Sequence, residues 1–134
     1  MLIKRHFIGG IDLSYTESVE MYLETILILS KKGKVRSVDI ARHMGFSKPT
    51  ISEQMKRLRG ESLVEVDENN HVHLTDKGKR IAERVYERHQ LLTKLFMSVG
   101  VDEATATEDA CRVEHYISEE TFSKLHAHYK EKHS

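Results

Sequence analysis

The 134 residues carry 39% apolar and 31% charged side chains, ordinary values for one domain or for two small ones sharing a long helix. No apolar run approaches the ~20 residues of a membrane span. The start MLIKRHFIGGIDLS lacks the apolar core and cleavage site of an export signal, and the single cysteine, Cys111, excludes an intrachain disulfide framework, so a reducing cytoplasm is expected.

Net charge is zero, which by itself argues against nucleic acid. Its distribution argues the reverse. Residues 31–60 hold nine Lys/Arg against Asp39 and Glu53, whereas residues 101–134 hold eight acidic residues against four basic ones. Phosphate contacts need a local basic patch, which an average over the chain conceals.

Residues 1–15 read as a loose extension that leaves Lys4 and Arg5 available to phosphate. Apolar spacing of three and four at Val19, Tyr22, Leu23, Ile26, Leu27 and Leu29 predicts a helix from about Thr16 to Lys32, ended by Gly33. Met21 and Glu24 share a face beside that stripe. Ser37–Met44 forms a second short helix with Val38, Ile40, Ala41 and Met44 on its buried side, and Gly45 permits a sharp turn. Ser47 caps a third helix running to Gly60, with Pro49 in its first turn, where a missing N–H costs nothing. Ile51, Met55 and Leu58 face inward. Lys48, Thr50, Ser52, Lys56 and Arg57 are left outward.

Leu63–Val66 and His71–Leu74 alternate apolar and polar around Asp67-Glu-Asn-Asn70, the pattern of a hairpin. A short helix pair followed by such a wing places one helix in a DNA groove. Ser37, Ser47, Lys48, Pro49, Thr50, Lys56 and Arg57 are the candidate DNA contacts, the small and cationic end of the third helix being the part that meets bases and phosphates. His71 and His73 share a face of the wing. Metal binding there is one reading, and solvated or phosphate-facing histidines are the commoner one.

Thr75 caps a long helix, Asp76–Ser98, and Gly100 breaks it. A helix of that length in so small a protein links two units or builds a dimer interface. Glu103–Tyr116 and a Ser118-capped last helix with Phe122, Leu125 and Tyr129 inward complete the chain. The expected fold is mainly α with one small β-hairpin: a winged helix-turn-helix over 16–80, then a helical dimerisation domain over 81–134.

Cys111, Glu114 and His115 stand at i, i+3 and i+4, on one face of one helix. Thiolate, carboxylate and imidazole are the three main transition-metal donors, and helix-borne Glu and His hold metals in helical bundles. The plainer reading is a surface Glu-His pair beside a small buried hydrophobe.

The order MYLETI, DIARHMGFSKPTISEQMKRL, LTDKGKRIAERVYERHQLL and GVDEATATEDACRVEHYIS resembles the diphtheria toxin repressor family over about residues 17–125. DACRVEH is the most specific segment. In length the chain is like the short two-domain branch of manganese transport regulators, and it is expected to lack the SH3-like domain of longer members. The resemblance implies a cytoplasmic, metal-dependent repressor that binds double-stranded operator DNA as a homodimer in the service of metal homeostasis. It implies no enzymatic activity and no small-molecule substrate. By position, Met21, Cys111, Glu114 and His115 match the regulatory ligands of the iron-responsive branch. Glu24 and His89 match second-site ligands of the manganese-responsive branch. The iron branch's ancillary Glu and His fall at Thr93 and Thr107, so the chain departs from both patterns.

Thioether and thiolate favour Fe(II), with Co(II), Ni(II) or Zn(II) as surrogates, over the harder Mn(II), which is the second expectation. A winged helix repressor sensing an organic ligand is the rival DNA-binding reading. A metal-dependent hydrolase lacks a general base distinct from the ligands, oxyanion donors and a phosphate loop.

Overall fold

A computed structural model of the chain describes residues 7–8 and 11–133. Lys4 and Arg5 lie outside the described residues. A two-residue hairpin, β1 (Phe7–Ile8) with β2 (Ile11–Asp12), stands where a loose extension was expected. β2 runs straight into α1 (Leu13–Ser30), so that helix begins earlier than Thr16. The remaining elements are α2 (Ser37–Met44), α3 (Lys48–Gly60), β3 (Val64–Val66), β4 (Val72–Leu74), α4 (Asp76–Ser98), α5 (Glu103–Val113) and α6 (Glu119–His133). No helix among the described residues is long and apolar enough to cross a membrane.

The chain divides into two compact units inside α4. One comprises Ser14–Arg84, the other Met1–Leu13 with Val85–Ser134.

In the first unit the apolar stripe of α1 is buried as its spacing requires, with Leu23 and Ile26 fully enclosed. Ile40 of α2 and Ile51, Met55 and Leu58 of α3 join them. Each of the fully enclosed side chains is worth roughly 1.5–3 kcal/mol of transfer free energy. The turn between α2 and α3 depends on Gly45, whose φ of +73° is open to glycine at no steric cost; its N–H reaches Ala41 O at 2.9 Å. Ser47 Oγ accepts the Thr50 N–H at 3.3 Å and starts α3.

β3 and β4 pair antiparallel, with Glu65 opposite His73. The wing is fastened at both ends. Val72 N–H donates to Val35 O at 2.7 Å. Thr75 donates its hydroxyl to Ser62 O at 2.7 Å and accepts the Gly78 N–H at 3.1 Å, capping α4. Gly78 passes so close to Leu63 that a Cβ there would collide with the Leu63 carbonyl.

In the second unit Val85 and Leu92 of α4 and Ala106 and Ala110 of α5 are all nearly or fully buried. α6 buries no residue completely; Phe122, Leu125 and Tyr129 are half-buried rather than enclosed. α5 also stops short of Tyr116. The N–H groups of Tyr116 and Ile117 both reach Val113 O, at 3.0 and 3.1 Å, and close the helix there.

Candidate metal centre and nucleic-acid interface

Among the described residues, His89, Cys111 and Glu114 form the one group of three such side chains whose donor atoms all lie within 4.8 Å of one another. His89 projects from the second half of α4. Cys111 sits in the last turn of α5, and Glu114 is the residue that caps it. The i, i+3 spacing therefore works across a helix end. Glu114 keeps αR geometry (φ −58°, ψ −27°), so its side chain still projects as a next helical residue would.

His89 Nδ1 lies 2.9 Å from Glu114 Oε2 and 3.7 Å from Cys111 Sγ. Glu114 is 1% exposed, and its second oxygen, Oε1, is buried without a hydrogen-bond partner. His115 is also buried, and its Nε2 stands 3.4 Å from that oxygen. Contact with the Cys111 sulfur and then with the Glu114 carboxylate pushes the His89 pKa up to about 10, against the opposing effect of burial. Protonated, His89 places a cation beside a buried carboxylate.

These residues fit a divalent ion. An orphaned buried carboxylate oxygen calls for a cation or a donor. The neighbouring thiol and imidazole are the donor types that a transition metal takes, and the mutual spacing suits ligands of one ion. His89, Cys111 and Glu114 would hold it, with His115 adjacent. Met21, exposed, and Glu24, half-buried, stand on α1 in the other unit.

Two residues that sequence reasoning passed over support this region and the wing. Arg88, 8% exposed, donates through Nη1 to Ile117 O at 2.8 Å and Glu114 O at 3.4 Å, and through Nη2 to Glu119 Oε2 at 2.8 Å. Asp67 collects both wing histidines: His73 Nε2 lies 2.9 Å and His71 Nδ1 3.7 Å from Oδ2. Asp67 Oδ1 accepts the N–H groups of Asn69 and His71, each at 2.9 Å. Both wing histidines contact this carboxylate, His73 remaining exposed to solvent and His71 half-buried. Hairpin register carried a signal for Asp67, since β4 brings His73 back to the turn. Nothing in the sequence pointed to Arg88.

On the nucleic-acid side, Ser47, Lys48, Pro49, Thr50 and Lys56 are all exposed, and Ser37 is half-buried at the start of α2. Arg57 differs. Its Nε and Nη2 atoms are buried, and its charge acts on Tyr22 of α1, opposing the upward push of burial on the phenol. It faces the inner edge of α3 rather than the exposed row.

The chain matches two family descriptions in tandem. Residues 14–72 match "Iron dependent repressor, N-terminal DNA binding domain". Residues 75–132 match "Iron dependent repressor, metal binding and dimerisation domain". The transcriptional regulator MntR of Escherichia coli O6:H1 is 37% identical over 106 residues, covering 78% of this chain and 68% of that protein. The solved structure of the manganese regulator SloR superposes with a TM-score of 0.74 at 31% identity, covering 84% of this chain and 53% of that one. A manganese-dependent transcriptional repressor in complex with manganese also scores 0.74, at 28% identity over 81% of this chain and 51% of the other. The chain thus spans about half the length of these two solved proteins.

Proposed function

The chain belongs to the iron-dependent repressor family, and from that premise we propose that it is a cytoplasmic transcriptional repressor, not an enzyme, which binds double-stranded operator DNA as a homodimer when loaded with a divalent transition metal. The observation that carries the proposal is Glu114: a buried carboxylate with an orphaned oxygen, flanked by His89 and Cys111, in the part that matches a metal-binding domain. A bound ion supplies there the positive charge that the His89 proton supplies without it.

Each residue then has a task. His89, Cys111 and Glu114 present imidazole, thiolate and carboxylate, and His115, beside Glu114, is proposed as a second imidazole ligand. By resemblance Met21 and Glu24 are proposed as further ligands. Ser37, Ser47, Lys48, Pro49, Thr50 and Lys56 contact DNA, with Arg57 bracing α3 from behind. Metal and DNA affinities are linked, so each raises the other by the same factor.

The donor set supports Fe(II), because a cysteine thiolate suits it better than Mn(II). The names of the relatives support Mn(II) as the second reading. Anaerobic anisotropy titrations test both, using a duplex enriched from random DNA against Fe(II)-loaded protein. DNA affinity rises with Fe(II), and rises less with Mn(II), on the first reading. The order reverses on the second, and equal affinity with and without either metal refutes the function.

A further inference from the structure

We propose that Arg88 is the positioning residue of the metal centre, an inference that rests on the metal-binding reading above. Arg88 and His89 are consecutive on α4, so their side chains leave the helix about 100° apart. They nevertheless grip the same turn. His89 meets the Glu114 carboxylate at 2.9 Å, while Arg88 meets the Glu114 carbonyl at 3.4 Å and the Ile117 carbonyl at 2.8 Å. Glu114 is thereby held at both its side chain and its backbone from two successive positions of one helix.

The carbonyls that Arg88 takes lie just beyond the end of α5, where a helix leaves acceptors without intrahelical donors and carries the negative end of its dipole. The second arm of the guanidinium reaches Glu119 in the first turn of α6, and the Arg88 Cζ lies 5.3 Å from the centre of the Phe122 ring. One planar group therefore ties the turn carrying Glu114 and His115 to α4 before it and α6 after it.

Burying a cation against one largely exposed carboxylate is an expensive way to fill space, and an apolar side chain would fill it at lower cost. What the guanidinium adds is direction: several donors in one rigid plane, able to fix three acceptors at once. Because Glu114 is 1% exposed, its carboxylate has no room to recover from a shifted backbone, so the carbonyl contacts set where it stands relative to His89 and Cys111. Groups that orient ligands in this way typically change metal affinity by about 10- to 100-fold.

The test is an anaerobic Co(II) titration of the full chain, followed by the thiolate-to-Co(II) charge-transfer absorption, with thermal unfolding of the metal-free proteins alongside. Arg88→Met and Arg88→Lys are expected to weaken Co(II) binding by about 10- to 100-fold. Glu119→Gln is expected to cost less than about threefold, since the carbonyl contacts remain. Lysine keeps the charge but cannot span three acceptors, so positioning predicts no rescue by lysine, whereas charge compensation or space-filling predicts rescue. An Arg88→Lys protein within about twofold of wild type overturns the proposal, whatever its melting temperature. If Arg88→Met fails to fold, Arg88→Lys decides by the same criterion. A wild-type chain that gives no Co(II) absorption defeats the metal reading itself, an outcome distinct from variants that bind as well as wild type.

Discussion

Two places in this molecule bring histidine to a carboxylate, and they differ in kind. On the wing, Asp67 receives His73, His71 and two backbone N–H groups from within six residues, at the surface. At the end of α5, Glu114 is enclosed, receives His89 from 25 residues away and keeps one oxygen unsatisfied beside a thiol. The first carboxylate has its acceptors filled by local partners and serves to hold a turn. The second has spare coordinating capacity in a place that water does not reach. A histidine-carboxylate contact is thus structural or functional according to what the other carboxylate oxygen is left to do.

The sharpest way to break this contrast is substitution on each side of it. Cys111→Ala, at an exposed position, is expected to lower Fe(II) or Co(II) affinity by about 100-fold or more and to abolish the metal-dependent gain in DNA binding. His71→Ala with His73→Ala is expected to leave metal affinity within about twofold of wild type. Comparable losses from the two changes would erase the distinction.

Gly78→Ala comes next. The added Cβ meets the backbone of Leu63, which has no flexible end to move aside. A destabilisation of about 1–3 kcal/mol is expected in thermal unfolding. Co(II) binding at His89, Cys111 and Glu114 should persist in the folded fraction, because those three residues belong to the other unit.

Protonation separates the two clusters in the same direction. With the His89 pKa raised to about 10, metal must displace a proton at neutral pH. Apparent affinity should therefore climb by at least about tenfold per pH unit through the neutral range, the release of the His89 proton alone accounting for that slope, measured as a Co(II) dissociation constant against pH. The same shift works the other way on the metal-free fold: the stability contributed by protonated His89 is complete below about 6.5, the ordinary histidine value, and is lost as pH rises through about 10.

The smallest effect is expected on the wing. Hydrogen bonding from His73, then from the His71 backbone, lowers the Asp67 pKa to about 2. A depressed carboxylate contributes above its unfolded value near 3.8 and loses that contribution as pH falls through about 2. Amide exchange at Asn69 and His71 should stay slow down to about pH 4 and quicken below it, and Asp67→Asn should quicken it at neutral pH. Equal protection in wild type and variant at pH 7 would show that the carboxylate does not hold the turn.

Much of the fold was legible because its signals are short in range. The stripe of α1, the Ser47 cap with Pro49 behind it and the Gly45 turn each depend on residues at most four apart, and the wing on residues at most ten apart. The limits of elements were less so. α5 closes at Val113 because two amides converge on one carbonyl, a choice that helix periodicity does not encode. Of the proposed ligands, Cys111, Glu114 and His115 came from spacing, whereas His89 came from family resemblance alone.

The sequence by itself determined the helical pattern, the wing, the donor types and the separation of charge into a basic helix-turn-helix and an acidic stretch over 101–134, since all of these are read along the chain without knowing which segments meet. Only the tertiary structure decided which donors meet. His89 reaches Glu114 across 25 residues and Arg88 reaches Glu119 across 31, separations at which periodicity along the chain carries no signal. Burial then decided the chemistry: enclosing Glu114 leaves one of its oxygens without a hydrogen-bond partner, and so turns a common sequence pair into a place for a cation.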